Sequence, residues 1–139
     1  MKQDKKSQIP GIDLTFADGG TGRIWGTSGL DDLRGNSFSK AAHYLQQRAR
    51  QDQAFEWTVV LDLDQVISSA AIPLLGLMRT LKQIVAEKAD RRYVRVEWRI
   101  KPGDDSMRSL ANGVREQLGS IDGFSIDIVE VRKSGVARV

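Results

Sequence analysis

The sequence predicts an α/β fold: a mixed sheet of about five strands with helices, in the order β-β-α-β-α-β-α-β. Apolar residues alternate with polar ones in several short segments, the period of a strand with one buried face. Between the later segments, apolar residues recur three and four apart, the period of an amphipathic helix. Strands that alternate with helices pair in parallel through right-handed crossovers. The first two strands are instead joined by a glycine-rich turn, which makes them a hairpin.

Residues 1–10 (MKQDKKSQIP) carry Lys2, Lys5 and Lys6 and read as a flexible basic tail ended by Pro10-Gly11. Ile12, Leu14 and Phe16 alternate with Asp13 and Thr15 as the first strand. Asp18-Gly19-Gly20-Thr21-Gly22 gathers residues that tolerate positive φ, so a turn is expected there, and a second strand over Arg23–Thr27 with Ile24 or Trp25 facing inward. Residues 28–37 are irregular. Asn36 or Ser37 caps a helix whose apolar face is Phe38, Ala41, Ala42, Leu45 and Ala49. Phe55–Leu63 is so nearly continuous in apolar residues that a central strand, covered on both sides for part of its length, is expected.

A helix from about Ser69 to Ala89 follows, with Ile72, Leu75, Met78, Leu81, Ile84 and Val85 as its core stripe. Pro73 would break a helix interior, so it is placed in the first turn, where its backbone nitrogen has no intrahelical acceptor. The helix therefore begins at the serines. Tyr93–Lys101 is the next strand, and Asp105 or Ser106 caps a helix carrying Met107, Leu110, Val114 and Leu118. Phe124, Ile126 and Ile128 start the last strand. Residues 132–139 form a second basic tail with Arg132, Lys133 and Arg138, leaving a single domain over 11–131.

The composition removes several kinds of chemistry. The chain has 139 residues, no cysteine, one histidine and a formal net charge of +3. Disulfides, thiolate catalysis and zinc ribbons are excluded. His43 sits alone on a helical pattern and is read as a surface or core-edge residue, with no partner for a zinc site or a serine triad. The glycine turn is neither GxGxxG nor a P-loop. Asp62 and Asp64, two apart near the carboxyl end of the Phe55–Leu63 strand, would share a face where a metal could sit, the alternative being that Asp64 belongs to the following loop. No catalytic residue, cofactor or resident metal is expected. No apolar run approaches the roughly 20 residues of a membrane span, and the first residues lack the apolar core of a secretory signal, so a cytoplasmic protein is expected. Arg91, Arg92, Arg95 and Arg99, with the basic tails, leave a small ligand-binding or nucleic-acid-binding module as one alternative.

The remaining signal is the stretch Asp64-Gln-Val-Ile-Ser-Ser-Ala-Ala-Ile-Pro73, where two hydroxyls stand between a strand and a helix. In parallel α/β sheets, functional groups collect beyond the carboxyl ends of the strands. A helix start there offers open N–H groups and the positive end of the helix dipole, which accept an anion. A phosphoryl group on a hydroxyl at this point is tolerated by the fold and changes the surface by about −1.5 to −2 charges. The alternative use for Ser68 or Ser69 is as the helix N-cap.

The element order, with a long helix opening at a serine, resembles the STAS fold of bacterial anti-sigma-factor antagonists. Their Asp-Ser-Ser/Thr-Gly motif is replaced here by Ile67-Ser68-Ser69-Ala70, and the sequence shows no terminal helix of the kind those proteins carry. The sequence is more similar to the SiaC-type regulatory phosphoproteins, whose fold is STAS-like. Gln65-Val66-Ile67-Ser68-Ser69-Ala70 aligns with their serine-bearing junction, Val96-Glu97-Trp98 and Asp104-Asp105-Ser106-Met107 with downstream motifs, and Gly35-Asn36-Ser37 with an upstream one. The resemblance spans about 11–118. It implies a non-enzymatic protein of a partner-switching system. A dedicated protein kinase would phosphorylate Ser68 (Ser69 being the alternative), and a PP2C-type phosphatase would remove the phosphate. The unmodified form would bind a client such as a diguanylate cyclase and so influence biofilm formation. Gln65, Pro73, Asp104 and Asp105 become the expected partner contacts, and an antagonist controlling an anti-sigma kinase is the rival role.

Overall fold

The computed structural model describes residues 9–88 and 90–131. Its strands are β1 (Gly11–Asp18), β2 (Thr21–Ser28), β3 (Phe55–Val66), β4 (Arg92–Ile100) and β5 (Phe124–Glu130). Its helices are α1 (Asn36–Gln51), α2 (Ser68–Glu87) and α3 (Asp105–Leu118), with a short 3-10 turn over Leu33–Gly35 before α1. The element order is the expected one. Residues 1–8 and 132–139, which hold nearly all of the two expected tails, lie outside the described residues, while Pro10 is buried.

All five strands form one sheet in the spatial order β1-β2-β3-β4-β5. β1 and β2 are antiparallel, and Gly19 and Gly20 between them have φ of 61° and 84°. Two consecutive positive φ values are what a tight hairpin turn needs to match the strand twist. β2 to β5 are parallel. Since each parallel strand lies beside its predecessor, right-handed crossovers put all three helices on one face of the sheet. α2 accordingly touches both α1 and α3.

Burial along β4 shows the result. Val94, Val96, Trp98 and Ile100 are buried beneath the helices, whereas Tyr93 and Arg95 are exposed on the other face. The expectation of a β3 covered on both sides is therefore corrected. Trp57, Val59, Leu61 and Leu63 face the helices, and Glu56 and Asp62 are exposed opposite them. Val60 is buried on the open face because it shares a hollow with Arg23, Trp25 and Arg99 from the flanking strands. On β2 it is Ile24 that enters the core, while Trp25 is exposed.

α2 departs from the sequence reading in two ways. Its buried residues are Ala70, Leu74, Leu77, Met78, Leu81, Ile84 and Val85, with Thr80, whereas Ile72, placed in the stripe by the sequence, is 78% exposed. The helix also starts at Ser68, so Pro73 is its sixth residue and lies beyond the first turn. There it deprives the Ser69 carbonyl of its intrahelical donor. Pro73 is half-buried against Gly35, where a Cβ would come within 2.8 Å of the proline Cβ.

Arg92 is a second departure. The sequence counts it with Arg91, Arg95 and Arg99 among the basic residues of a possible binding module, but it is only 3% exposed. Its guanidinium donates to the carbonyls of Ala49 (2.7 Å) and Ile84 (2.8 Å), and more weakly to those of Gln53 and Asp52. One cation thus satisfies carbonyls in the last turns of both α1 and α2, where helices leave acceptors unpaired and present their negative ends. Arg95 and Arg99 are likewise engaged, with Asp127 at 2.6 Å and Glu97 at 2.7 Å, so their charges are largely neutralised.

Candidate functional site

β3, β4 and β5 all end at one edge of the sheet, and α2 and α3 begin there. The chain turns from β3 into α2 at Ile67, an extended N-cap residue with φ −69° and ψ 155°. Its N–H donates to the Ser28 carbonyl at 3.0 Å, and its carbonyl accepts from the Ala70 N–H at 2.9 Å. No side chain caps α2. The capping role considered for Ser68 and Ser69 is thereby overturned: an isoleucine occupies the cap, and the serines are the first two helical residues. Both are exposed, and no hydrogen bond engages either hydroxyl among the described residues.

The junction is held by residues the sequence reading passed over as irregular. Ser28 Oγ donates to Asp32 Oδ2 at 2.5 Å, and Asp32 Oδ1 accepts the Ser37 N–H at 2.9 Å. Ser28 and Asp32 are buried. The carboxylate caps α1 in place of Asn36 or Ser37, because Gly35, the N-cap residue, has no side chain to do so. The starts of α1 and α2 are thus tied through Ser28, whose hydroxyl serves one and whose carbonyl serves the other.

A groove of about 460 Å³ runs between the starts of α2 and α3. Ser68 and Ala71 line it from α2, Asp64 and Gln65 from the end of β3, and Asp104, Ser106 and Leu110 from the start of α3. Three of the residues expected from the sequence, Ser68, Gln65 and Asp104, therefore meet in one place. Ser69, Pro73 and Asp105 do not line it; Asp105 is the exposed first residue of α3. Asp104 has a second task. Its carboxylate accepts the Met107 N–H at 3.0 Å and caps α3, the role the sequence gave to Asp105 or Ser106.

Asp64 and Asp62 do not form a pair. The β2–β3 ladder passes from Gly26↔Leu63 to Thr27↔Gln65, so Asp64 is an unmatched, bulged residue and the period of two breaks there. Asp62 lines the hollow on the open face with Arg99, while Asp64 lines the groove and takes Lys101 Nζ at 2.5 Å. That bond to Asp64, with the further negative charges of Asp62 and Asp104, raises the Lys101 pKa above its usual value. Among the described residues, no three histidine or carboxylate side chains gather to hold a metal. No helix there is long and apolar enough to cross a membrane.

Ile72, placed in the core stripe by the sequence, is instead exposed near this groove, although it does not line it. It lies one helical turn beyond Ser68, at the i+4 position that shares its face, and is 78% exposed. Leu30, in the loop after β2, is 74% exposed. Two large aliphatic side chains therefore stand in water at the end of the molecule that carries Ser68.

A two-layer α/β domain with one helix-covered face, a mixed five-stranded sheet and a serine at the start of its second helix has a SiaC-type fold. It is similar to apo-SiaC from Pseudomonas aeruginosa with a TM-score of 0.68 and 16% identity, over 93% of this chain and 97% of that one. It is equally similar, at a TM-score of 0.68 and 15% identity over 90% and 95%, to a chain in the crystal structure of the P. aeruginosa diguanylate cyclase SiaD in complex with its activator SiaC. Neither a family model nor a curated protein sequence matches the chain.

Proposed function

We propose that this protein is a non-catalytic regulator that binds and controls a diguanylate cyclase, and that phosphorylation of Ser68 switches the binding off. A protein kinase adds the phosphate and a PP2C-type phosphatase removes it, so that the pair sets cyclic dinucleotide output and, through it, biofilm formation. The observation that carries this reading is the Ser68 hydroxyl: exposed, without a hydrogen bond, and lining a groove with Gln65 and Asp104.

The physical consequences of a phosphate there support a switch. The helix start stabilises an anion by roughly 0.3–1 kcal/mol, so the fold accepts the modification. The new charge stands beside two carboxylates, Asp64 and Asp104, and one turn from the apolar Ile72. A client that buries Ile72 must then desolvate a dianion with it, a cost far larger than a phosphate in water incurs. The SiaC–SiaD complex supports a diguanylate cyclase as the client class.

The kinase step is tested by incubating the purified chain with its kinase and ATP and mapping the phosphate by mass spectrometry. Phosphate on Ser68, lost in Ser68→Ala and kept in Ser69→Ala, is the expected result. Phosphate on Ser69 alone, or none on the junction, would overturn the assignment.

A further inference from the structure

The face of the sheet opposite the helices carries a hollow of about 300 Å³. That is the lower end of the range for small-ligand sites, about 300–1,000 Å³. Arg23 and Trp25 of β2, Val60 and Asp62 of β3, and Arg99 of β4 line it. Parallel strands are ordinarily covered on both faces, so an open face over four of them leaves room for an occupant. Trp25 is the ladder partner of Asp62, and Arg23 of Val60, so these four side chains stand together.

The floor and one wall of the hollow are fixed by packing. The Trp25 indole lies against Gly11 of β1, where a Cβ would come within 2.3 Å of the ring. Glycine alone leaves the ring that place, and the indole is still 46% exposed. Val60 is an apolar floor, 5% exposed although it faces away from the helices. Beside the ring stand a carboxylate and a guanidinium with little to bind. Asp62 enters no hydrogen bond or ion pair among the described residues, since Lys101 is bonded to Asp64 instead. Arg23 has Asp18 as its ion-pair partner, at a distance of 3.8 Å.

These groups match a ligand with an aromatic plane, a pair of N–H donors and an anion. A nucleobase stacks on an exposed indole. A carboxylate accepts the adjacent N1–H and exocyclic N2–H of guanine, an edge that adenine, cytosine and uracil do not present. A phosphate takes charge-assisted bonds from a guanidinium. A lysine or arginine side chain from another protein would suit Trp25 and Asp62 but would face Arg23 and Arg99.

We propose that this hollow binds a guanine nucleotide: Trp25 stacks on the base, Asp62 accepts its N1–H and N2–H, and Arg23, with Arg99 across from it, takes the phosphate. The hollow shares no lining residue with the Ser68 groove, so it is a second site and does not depend on Ser68 being the switch. A diguanylate cyclase consumes one guanine nucleotide and makes another. The site would therefore let the regulator respond to the supply or the output of its client, a consequence that, unlike the site, rests on the proposed function.

The purified chain is titrated with GMP, AMP and guanosine, followed by calorimetry and by NMR of the amide and indole N–H signals. GMP should shift the Trp25 indole and the amides of Arg23, Asp62 and Arg99, and should bind about tenfold or more tightly than AMP. Trp25→Leu should weaken GMP binding by roughly five- to 150-fold, equivalent to the about 1–3 kcal/mol of stacking one base. Asp62→Asn should erase the preference over AMP. Arg23→Gln should weaken GMP several-fold and leave guanosine unchanged. Asp62 and Arg23 are exposed, so these two variants keep the test open if Trp25→Leu unfolds. Equal affinity for AMP, shifts confined to the Ser68 groove, GMP binding that survives both Trp25→Leu and Asp62→Asn, or no binding would each overturn the proposal. GTP and the cyclic dinucleotide, added in turn, separate the two sources: tighter binding than GMP by the first identifies the substrate of the cyclase, by the second its product. No cyclase takes part, so these titrations succeed or fail independently of the Ser68 reading.

Discussion

Replacing Ile72 with alanine should weaken client binding and leave the fold almost untouched. Ile72 is 78% exposed, so most of its apolar surface is still available to a partner. Fully burying an isoleucine side chain contributes about 1.5–3 kcal/mol. Scaling by the exposed fraction leaves roughly 1.2–2.3 kcal/mol for docking. At 1.4 kcal/mol per decade, that is a factor of about 7–45 in Kd. The fold loses only the remaining fraction, roughly 0.3–0.7 kcal/mol, and the better helix propensity of alanine returns a few tenths. Leu74, two residues on and fully buried, supplies the contrast, because Leu74→Ala should cost about 2–5 kcal/mol of stability. Calorimetric titration of the cyclase, with thermal unfolding of each variant, reads both quantities. An Ile72→Ala protein that binds as tightly as wild type would refute the docking role. One that unfolds as easily as Leu74→Ala would show that Ile72 belongs to the core after all.

Arg92→Met should destabilise the protein by about 3–5 kcal/mol in urea unfolding, since it strips donors from buried carbonyls at the ends of two helices; a loss near zero would mean that water replaces the guanidinium. Asp104→Ala should cost about 1 kcal/mol through the lost α3 cap, with a smaller loss for Asp105→Ala, and equal effects would contradict the capping assignment. Hydrogen bonding from Arg99, reinforced by the charges of Arg99 and Arg95, holds the Glu97 carboxyl below its usual pKa of 4.5. Its contribution to stability is therefore present above that value and lost as pH falls through the lower folded value. Glu97→Gln should flatten the acid limb of the stability profile below about pH 4.5, and an unchanged limb would contradict the pairing.

The period-two and helical patterns made the element order and most of the core legible, because one-sided burial imposes them directly. β4, with strict alternation from Val94 to Ile100, is the clearest case. α2 was harder. Ala70, Ala71, Ile72, Leu74, Leu75, Leu77 and Met78 make its first half apolar nearly all round, so two helical phases fit and periodicity cannot choose between them. Met78, Leu81, Ile84 and Val85 of the expected stripe are buried and Leu75 packs against the core, so only Ile72 was misplaced, and that error hid the exposed aliphatic residue beside Ser68. The Asp64 bulge and the burial of Arg92 were invisible for a related reason. Both depend on which residues sit across the sheet or beneath the helix ends, and local sequence does not encode that. Position pointed to the Ser68–Ser69 junction, since the carboxyl ends of parallel strands converge and the first turns of the following helices must lie there, whereas the choice of Ser68 with Gln65 and Asp104 came from the resemblance to the SiaC-type proteins.

The most direct measurement is the affinity of the cyclase for the chain before and after stoichiometric phosphorylation of Ser68, at fixed salt and with the fold checked by thermal unfolding. A loss of roughly tenfold or more, about 1.4 kcal/mol, is expected, with the melting temperature little changed. Equal affinity for the two forms, or tighter binding by the phosphorylated one, would contradict it.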